Sequence, residues 1–132
     1  MPLGVLFWRR ATFPRCASCA TVRYPLRTMI RKAFVMSVHP GQEAEYERRH
    51  RPIWPELEAV LRRHGVRSYS IFLDEGTRQL FAYAEIESEE RWADIAATPE
   101  CRRWWASMRE LMPSHVDGSP VSDPLREVFH LS

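Results

Sequence analysis

Acidic residues are missing from the start of this chain, and glycine is scarce throughout it. Residues 1–28 contain no Asp or Glu but five arginines (Arg9, Arg10, Arg15, Arg23, Arg27), and the 132-residue chain has only five glycines. Residues 29–132 contain no Walker loop, GxGxxG, GxSxG or HExxH, which removes the common nucleotide, serine-hydrolase and zinc-protease readings. No apolar run approaches the ~18 residues of a membrane span. Three cysteines are too few, and odd in number, for a disulfide framework. Cys16 and Cys19 form a lone CxxC with no second pair and no nearby His, so no metal site is expected, and Cys101 reads as a buried thiol. The formal charge of +2 misleads. Taking the five early arginines from nineteen basic residues leaves fourteen against seventeen acidic ones, a net −3 that removes the electrostatic case for nucleic acid.

What is present fits one domain with an appendage. Residues 1–28 sustain no helical or strand period, and Pro14 and Pro25 interrupt them, so they read as a disordered N-terminal extension. Two readings stay open: an Arg-rich targeting segment, or a gene-model artefact with Met29 as the start. Residues 29–132 form the folded domain. Ile30 to Val38 reads as a strand ended by His39-Pro40-Gly41. Gln42 to Arg63 reads as two helical pieces meeting near Arg51, with Pro52 in the first turn of the second and Gly65 as its stop. Val66 to Leu73 alternates so that Tyr69, Ile71 and Leu73 share a face, and a hairpin returns along Gln79 to Glu87. Ser88 and Thr98 read as N-caps of two further helices. In the second, Cys101, Trp104, Trp105, Met108, Leu111 and Met112 form an apolar stripe that Pro113 ends. Leu125 to Leu131 reads as the final strand.

Strand, helix, strand, strand, helix, strand is the order of an α+β, ferredoxin-like split βαββαβ antiparallel sheet with helices on one face. Apolar side chains at both parities of the strands leave the other face partly apolar, which predicts a homodimer with sheets packed face to face.

The candidate chemistry is aromatic and histidine chemistry. Tyr46 and His50 are four apart, so they share a helix face one turn apart. His50 falls near the end of its helix, where the dipole favours an imidazolium, and the expectation is a pKa shifted upward for a general acid. Spacing alone favours the other reading, in which His50 is one more solvent-facing member of the run Glu47-Arg48-Arg49-His50-Arg51. Trp104 and Trp105 point about 100° apart, so one packs in the core while the other lines a cleft. An exposed indole suits the C–H face of a sugar or a small aromatic ligand. His39, His64 and His130 read as surface or structural residues. His115 and Asp117 lie in a Ser114 to Pro124 loop.

From Met29 onward the chain resembles the L-rhamnose mutarotases, which interconvert the α and β anomers of L-rhamnose. The segments carrying the resemblance are MIRKAFVMSV, EYERRHRPIWPELEAVLRRHG, YSIFLDE, FAYAEIESEERW, CRRWW and MPSHVDGSPVSDPLREVFHL. The resemblance implies a homodimer of the dimeric α/β-barrel type and a cytoplasmic role in rhamnose metabolism, with no cofactor. It also implies that His50 is the proton donor and that Tyr46, Tyr69, Trp104 and Trp105 bind substrate. The general base stays open among Asp117, Tyr46 and a bound water. Two other readings share the fold: a non-catalytic sugar-binding module and a cofactor-free monooxygenase of the dimeric α/β-barrel type.

Overall fold

The computed structural model describes residues 28–132. The expected extension therefore lies, apart from Thr28, outside the described residues, as does its CxxC. Four strands and four helices follow one another: β1 (Ile30–Ser37), α1 (Glu43–His50), α2 (Pro55–Arg63), β2 (Val66–Asp74), β3 (Gln79–Ile86), α3 (Glu89–Ile95), α4 (Pro99–Met108) and β4 (Asp123–Leu125). The sheet order is β2-β3-β1-β4, with every neighbouring pair antiparallel. This is the ferredoxin-like arrangement expected from the sequence. Among the described residues no helix is long and apolar enough to cross a membrane.

Register divides the two faces of the sheet. Met36 lies opposite Leu80 and Phe34 opposite Ala82, while Leu73, Ile71 and Tyr69 lie opposite Leu80, Ala82 and Ala84. With the two-residue period of a strand, these side chains share one face. That face packs on the helices, where Leu57 and Val60 of α2, Ile95 of α3 and Cys101, Trp104 and Met108 of α4 are buried with it. The opposite face carries Val35, Phe81, Phe72 and Leu125, of which Phe72 is 65% exposed.

The helix termini follow local chemistry. The side chains of Ser88 and Thr98 accept from the backbone N–H groups of Arg91 and Cys101, capping α3 and α4 as expected. α2 has acidic Glu56 and Glu58 in its first turn and basic Arg62 and Arg63 in its last, each complementing the helix dipole. It begins at Pro55, whereas the sequence reading put Pro52 in its first turn. Had Pro52 been the first helical residue, Pro55 would stand fourth, where a backbone N–H makes the first intrahelical bond and proline has none. Starting at Pro55 removes that loss. Pro52 instead lies in the link from α1, after a cis peptide bond.

Two further boundaries differ from expectation. α4 ends at Met108, before Pro113, yet Leu111 and Met112 in the following turn remain buried. The final strand is Asp123–Leu125, not Leu125 to Leu131. Leu125 pairs with Ala33 and Asp123 with Val35, so the same antiparallel register sets Glu127 opposite Arg31. Those two side chains form a two-pronged ion pair at 2.7 and 2.9 Å. β1 reaches only to Ile30, which this register sets opposite Val128, so Phe129 and Leu131 lie beyond the described strand. All three apolar side chains are exposed.

Gly65 joins α2 to β2 at φ +85°, and a Cβ placed there would meet the Glu87 side chain at 2.9 Å. The Gly65→Ala variant is expected to be destabilised by about 1–3 kcal/mol, from left-handed backbone strain added to that collision. Urea unfolding of the two proteins measures the difference, and equal midpoints would refute this account of Gly65.

Candidate active site

α1 carries two of the expected site residues on one face. The Nδ1 of His50 lies 2.7 Å from the carbonyl oxygen of Tyr46, one turn earlier. A carbonyl can only accept, so Nδ1 holds a proton and donates it, which leaves Nε2 as the atom that gains or loses a proton. The imidazole stacks on the Tyr46 ring at 4.3 Å and 30°, and meets the Trp104 ring edge-on at 5.0 Å and 89°. Trp54, from the link before α2, closes on Trp104 at 5.1 Å and 85°.

This enclosure reverses the expected charge on His50. The helix end and the Tyr46 carbonyl both favour the imidazolium, but burial among aromatic rings disfavours it by more, and the pKa is lowered from its ordinary 6.5. Among the described residues no carboxylate is hydrogen-bonded to the ring to offset the desolvation. At neutral pH His50 is therefore a neutral imidazole with an Nε2 lone pair.

His50 opens onto a cleft of about 1250 Å³ between the helices and the covered face of the sheet. Tyr46, Tyr69, Trp104 and Trp105 also line it, so the structure gathers all five expected residues in one place. Trp104 is buried and Trp105 is half-buried, so the expected division between core and cleft is one of degree. Burial raises the pKa of both phenols, and the Tyr69 hydroxyl is raised further by the Tyr46 and Cys101 groups. Tyr69 is about one-third exposed, 36%, but its hydroxyl end is crowded by the cleft walls. Both tyrosines keep their protons at neutral pH, which removes Tyr46 as a base. Neither hydroxyl makes a hydrogen bond to a described residue, so both are free to bond a ligand.

The sequence reading missed part of the wall. Phe34 and Trp92 pack around Tyr69, with centroid separations of 6.4, 6.1 and 5.8 Å in a triangle of rings. Trp54 supports Trp104 from outside the cleft. The signal for Trp54 was the PIWPE segment beside His50, and for Phe34 its shared strand face with Met36. His115 of the Ser114 to Pro124 loop lines the cleft, but Asp117 does not. The Asp117 carboxylate turns back on its own loop, accepting from Ser119 N at 2.9 Å and Ser119 Oγ at 2.5 Å, and those bonds hold its pKa low. It is not placed to act as the base. Among the described residues no group of three His, Cys, Asp or Glu side chains is gathered as a metal site would require.

Comparison with known proteins points the same way. The family model described as L-rhamnose mutarotase matches residues 31–131. A protein of that name from Opitutus terrae is 71% identical over 103 residues, covering 78% of this chain and 99% of the relative. The crystal structure of an L-rhamnose mutarotase from Formosa agariphila superposes with a TM-score of 0.71 at 39% identity, over 78% of this chain and 99% of that one. A protein described as an antibiotic biosynthesis monooxygenase, from Nitrosomonas europaea, reaches a TM-score of 0.54 at 13% identity, over 76% of this chain and 91% of that one. That likeness extends to the fold alone.

His50 is expected to titrate below 6.5 with its proton on Nδ1 in the neutral form. Long-range proton–nitrogen NMR correlations followed from pH 8 to 5 report both properties, and a midpoint above 6.5 would show that the helix end outweighs burial.

Proposed function

Because the chain belongs to the L-rhamnose mutarotase family, we propose that His50 Nε2 carries the proton whose movement opens and closes the ring of L-rhamnose. The family activity is an isomerisation of a carbohydrate, the exchange of its α and β anomers. The observation that supports His50 is its fixed tautomer in a cleft wall, with Nδ1 committed to Tyr46 and Nε2 uncommitted.

Ring opening moves one proton from the anomeric hydroxyl O1 to the ring oxygen O5, two atoms bonded to the same carbon. Neutral His50 takes the O1 proton. The C1–O5 bond breaks with its electrons going to O5, C1=O1 forms, and the imidazolium gives the same proton to O5. The open aldehyde then turns about C1–C2. Closure runs the steps backwards on the other carbonyl face, with Nε2 taking the O5 proton and returning it to O1. One imidazole thus serves as base and then as acid, so no separate base is required, and a positioned group of this kind contributes ~10²–10⁴-fold. Delivery to O5 is the donor step that the family resemblance implies for His50.

The remaining expected residues hold the sugar. Tyr46 and Tyr69 offer protonated hydroxyls to its oxygens, and the indoles of Trp104 and Trp105 offer apolar faces to its C–H surface. We assign the protein to the cytoplasm on the strength of the family's role in rhamnose metabolism. The same reading makes it a homodimer through the open face of the sheet, where Phe72, Phe81 and Leu125 stand exposed beside Val35. A surface of that kind suits a second copy.

His50→Ala is expected to abolish the catalysed exchange between the anomeric protons of L-rhamnose, read by NMR saturation transfer, while circular dichroism stays unchanged. Since the neutral imidazole is the active form, the wild-type rate falls as pH drops through a midpoint below 6.5 and is level above it. Wild-type exchange in the variant would remove the assignment of His50, and rhamnose binding without exchange by the wild type would favour the sugar-binding module. Light scattering is expected to give twice the chain mass for the wild type and the single mass for Phe72→Glu combined with Phe81→Glu. A monomeric wild type would refute the dimer.

A further inference from the structure

Arg49, the neighbour of His50, has no part in the scheme above, yet its guanidinium is the most fully engaged in α1. Nε donates to Glu45 Oε1 on the same helix at 2.7 Å, Nη2 donates to Glu110 Oε1 at 2.5 Å, and Nη1 donates to the carbonyl of Ser107. The side chain is only 23% exposed. Ser107 lies in the last turn of α4, where backbone carbonyls lack intrahelical partners and a basic side chain is a favoured cap. Its own hydroxyl donates to the carbonyl of Trp104 at 2.7 Å. The fork of Arg49 therefore joins the turn that holds His50 to the turn just after Trp104.

α1 needs such a join. It has eight residues, and its one buried side chain is Tyr46. Isolated helices of that length do not persist in water, and a single buried ring leaves rotation about it free. The contact that the join fixes is the edge-on meeting of His50 and Trp104 across the two helices.

We propose that Arg49 is a positioning residue for the proton transfer: its three-way fork pins the end of α1 to the end of α4 and so sets the imidazole of His50 against Trp104. This rests on His50 being the proton carrier. Each bond alone is modest, since Glu110 is 70% exposed and an exposed ion pair contributes little. The geometry is what matters, because three acceptors in different directions fix a planar fork as they cannot fix a flexible ammonium. Two carboxylates also neutralise the guanidinium, so its charge is already matched within the fork.

The test uses Arg49→Gln and Arg49→Lys in the full chain, with two readouts. Saturation transfer gives kcat and KM for anomer exchange, and the ring-proton shifts of His50 report its stacking on Tyr46 and Trp104. For Arg49→Gln, kcat is expected to fall by ~10–100-fold with KM within about twofold, because a small misplacement of the reacting group costs rate more than affinity. The His50 ring resonances move toward those of free histidine, and Arg49→Lys recovers part of both. Wild-type kcat, or a lowered kcat with unmoved His50 resonances, overturns the proposal. Should Arg49→Gln fail to fold, Glu110→Gln carries the test: a smaller change of the same kind in both readouts supports the fork, and wild-type values overturn it. The resonance readout needs no activity, so it still judges the fork if His50→Ala proves active and the proton-carrier reading falls.

Discussion

A helix of eight residues cannot hold itself together in water, and the histidine proposed to carry the proton stands on one. α1 presents Tyr46 and His50 to the cleft, but five of the eight residues of its own sequence, EAEYERRH, are charged. What keeps it in place is attachment: the Tyr46 ring is buried in the core, and the Arg49 fork reaches α4. Surface pairs such as Arg48 with Glu45 add little, because both partners are local to the helix and solvated. The same attachment that keeps α1 folded brings His50 to Trp104, so local stability and site geometry are one requirement.

Enclosure then decides the charge of His50. Two effects favour the imidazolium, the helix end and the bond from Nδ1 to the Tyr46 carbonyl, and burial opposes them and prevails. A neutral imidazole suits a reaction with no net charge change. Mutarotation begins and ends on a neutral sugar, and the proton leaving one oxygen is the proton the geminal oxygen needs. A permanently charged acid would require a matched base nearby. The two phenols, held protonated, and Asp117, committed to Ser119, do not supply one.

Much of this was legible in the sequence, and the exceptions have physical causes. The caps at Ser88 and Thr98 are local signals that the structure repeats, and register puts Tyr69, Ile71 and Leu73 on one face as expected, although burial along β2 does not alternate. The spacing of Tyr46 and His50 correctly placed both on one helix face. The sign of the His50 shift was not legible, because it depends on Trp104, fifty-four positions away, closing over the ring. Nor was the end of β4. LREVFHL has the composition of a strand, but a strand needs an edge, and β1 stops opposite the residue after Glu127. The start of α2 turned on which of two prolines stands at the first helical position, a choice that spacing leaves open and backbone hydrogen bonding decides.

The sheet explains how one fold serves different chemistries. With both helical crossovers on one side, the cleft forms between helices and sheet while the opposite face is left free, so the cleft and the open face lie on different sides of the same strands. In β1 the residues that build the cleft, Phe34 and Met36, alternate with Val35 of the free face. A substitution on one parity can therefore alter ligand chemistry and leave the other side unchanged. The likeness to the Nitrosomonas europaea protein, at a TM-score of 0.54 and 13% identity, is what such separation permits: the framework is shared while the cleft residues are not bound to be. In this chain the cleft is defined by where α1 is pinned, which is a matter of side chains and not of topology.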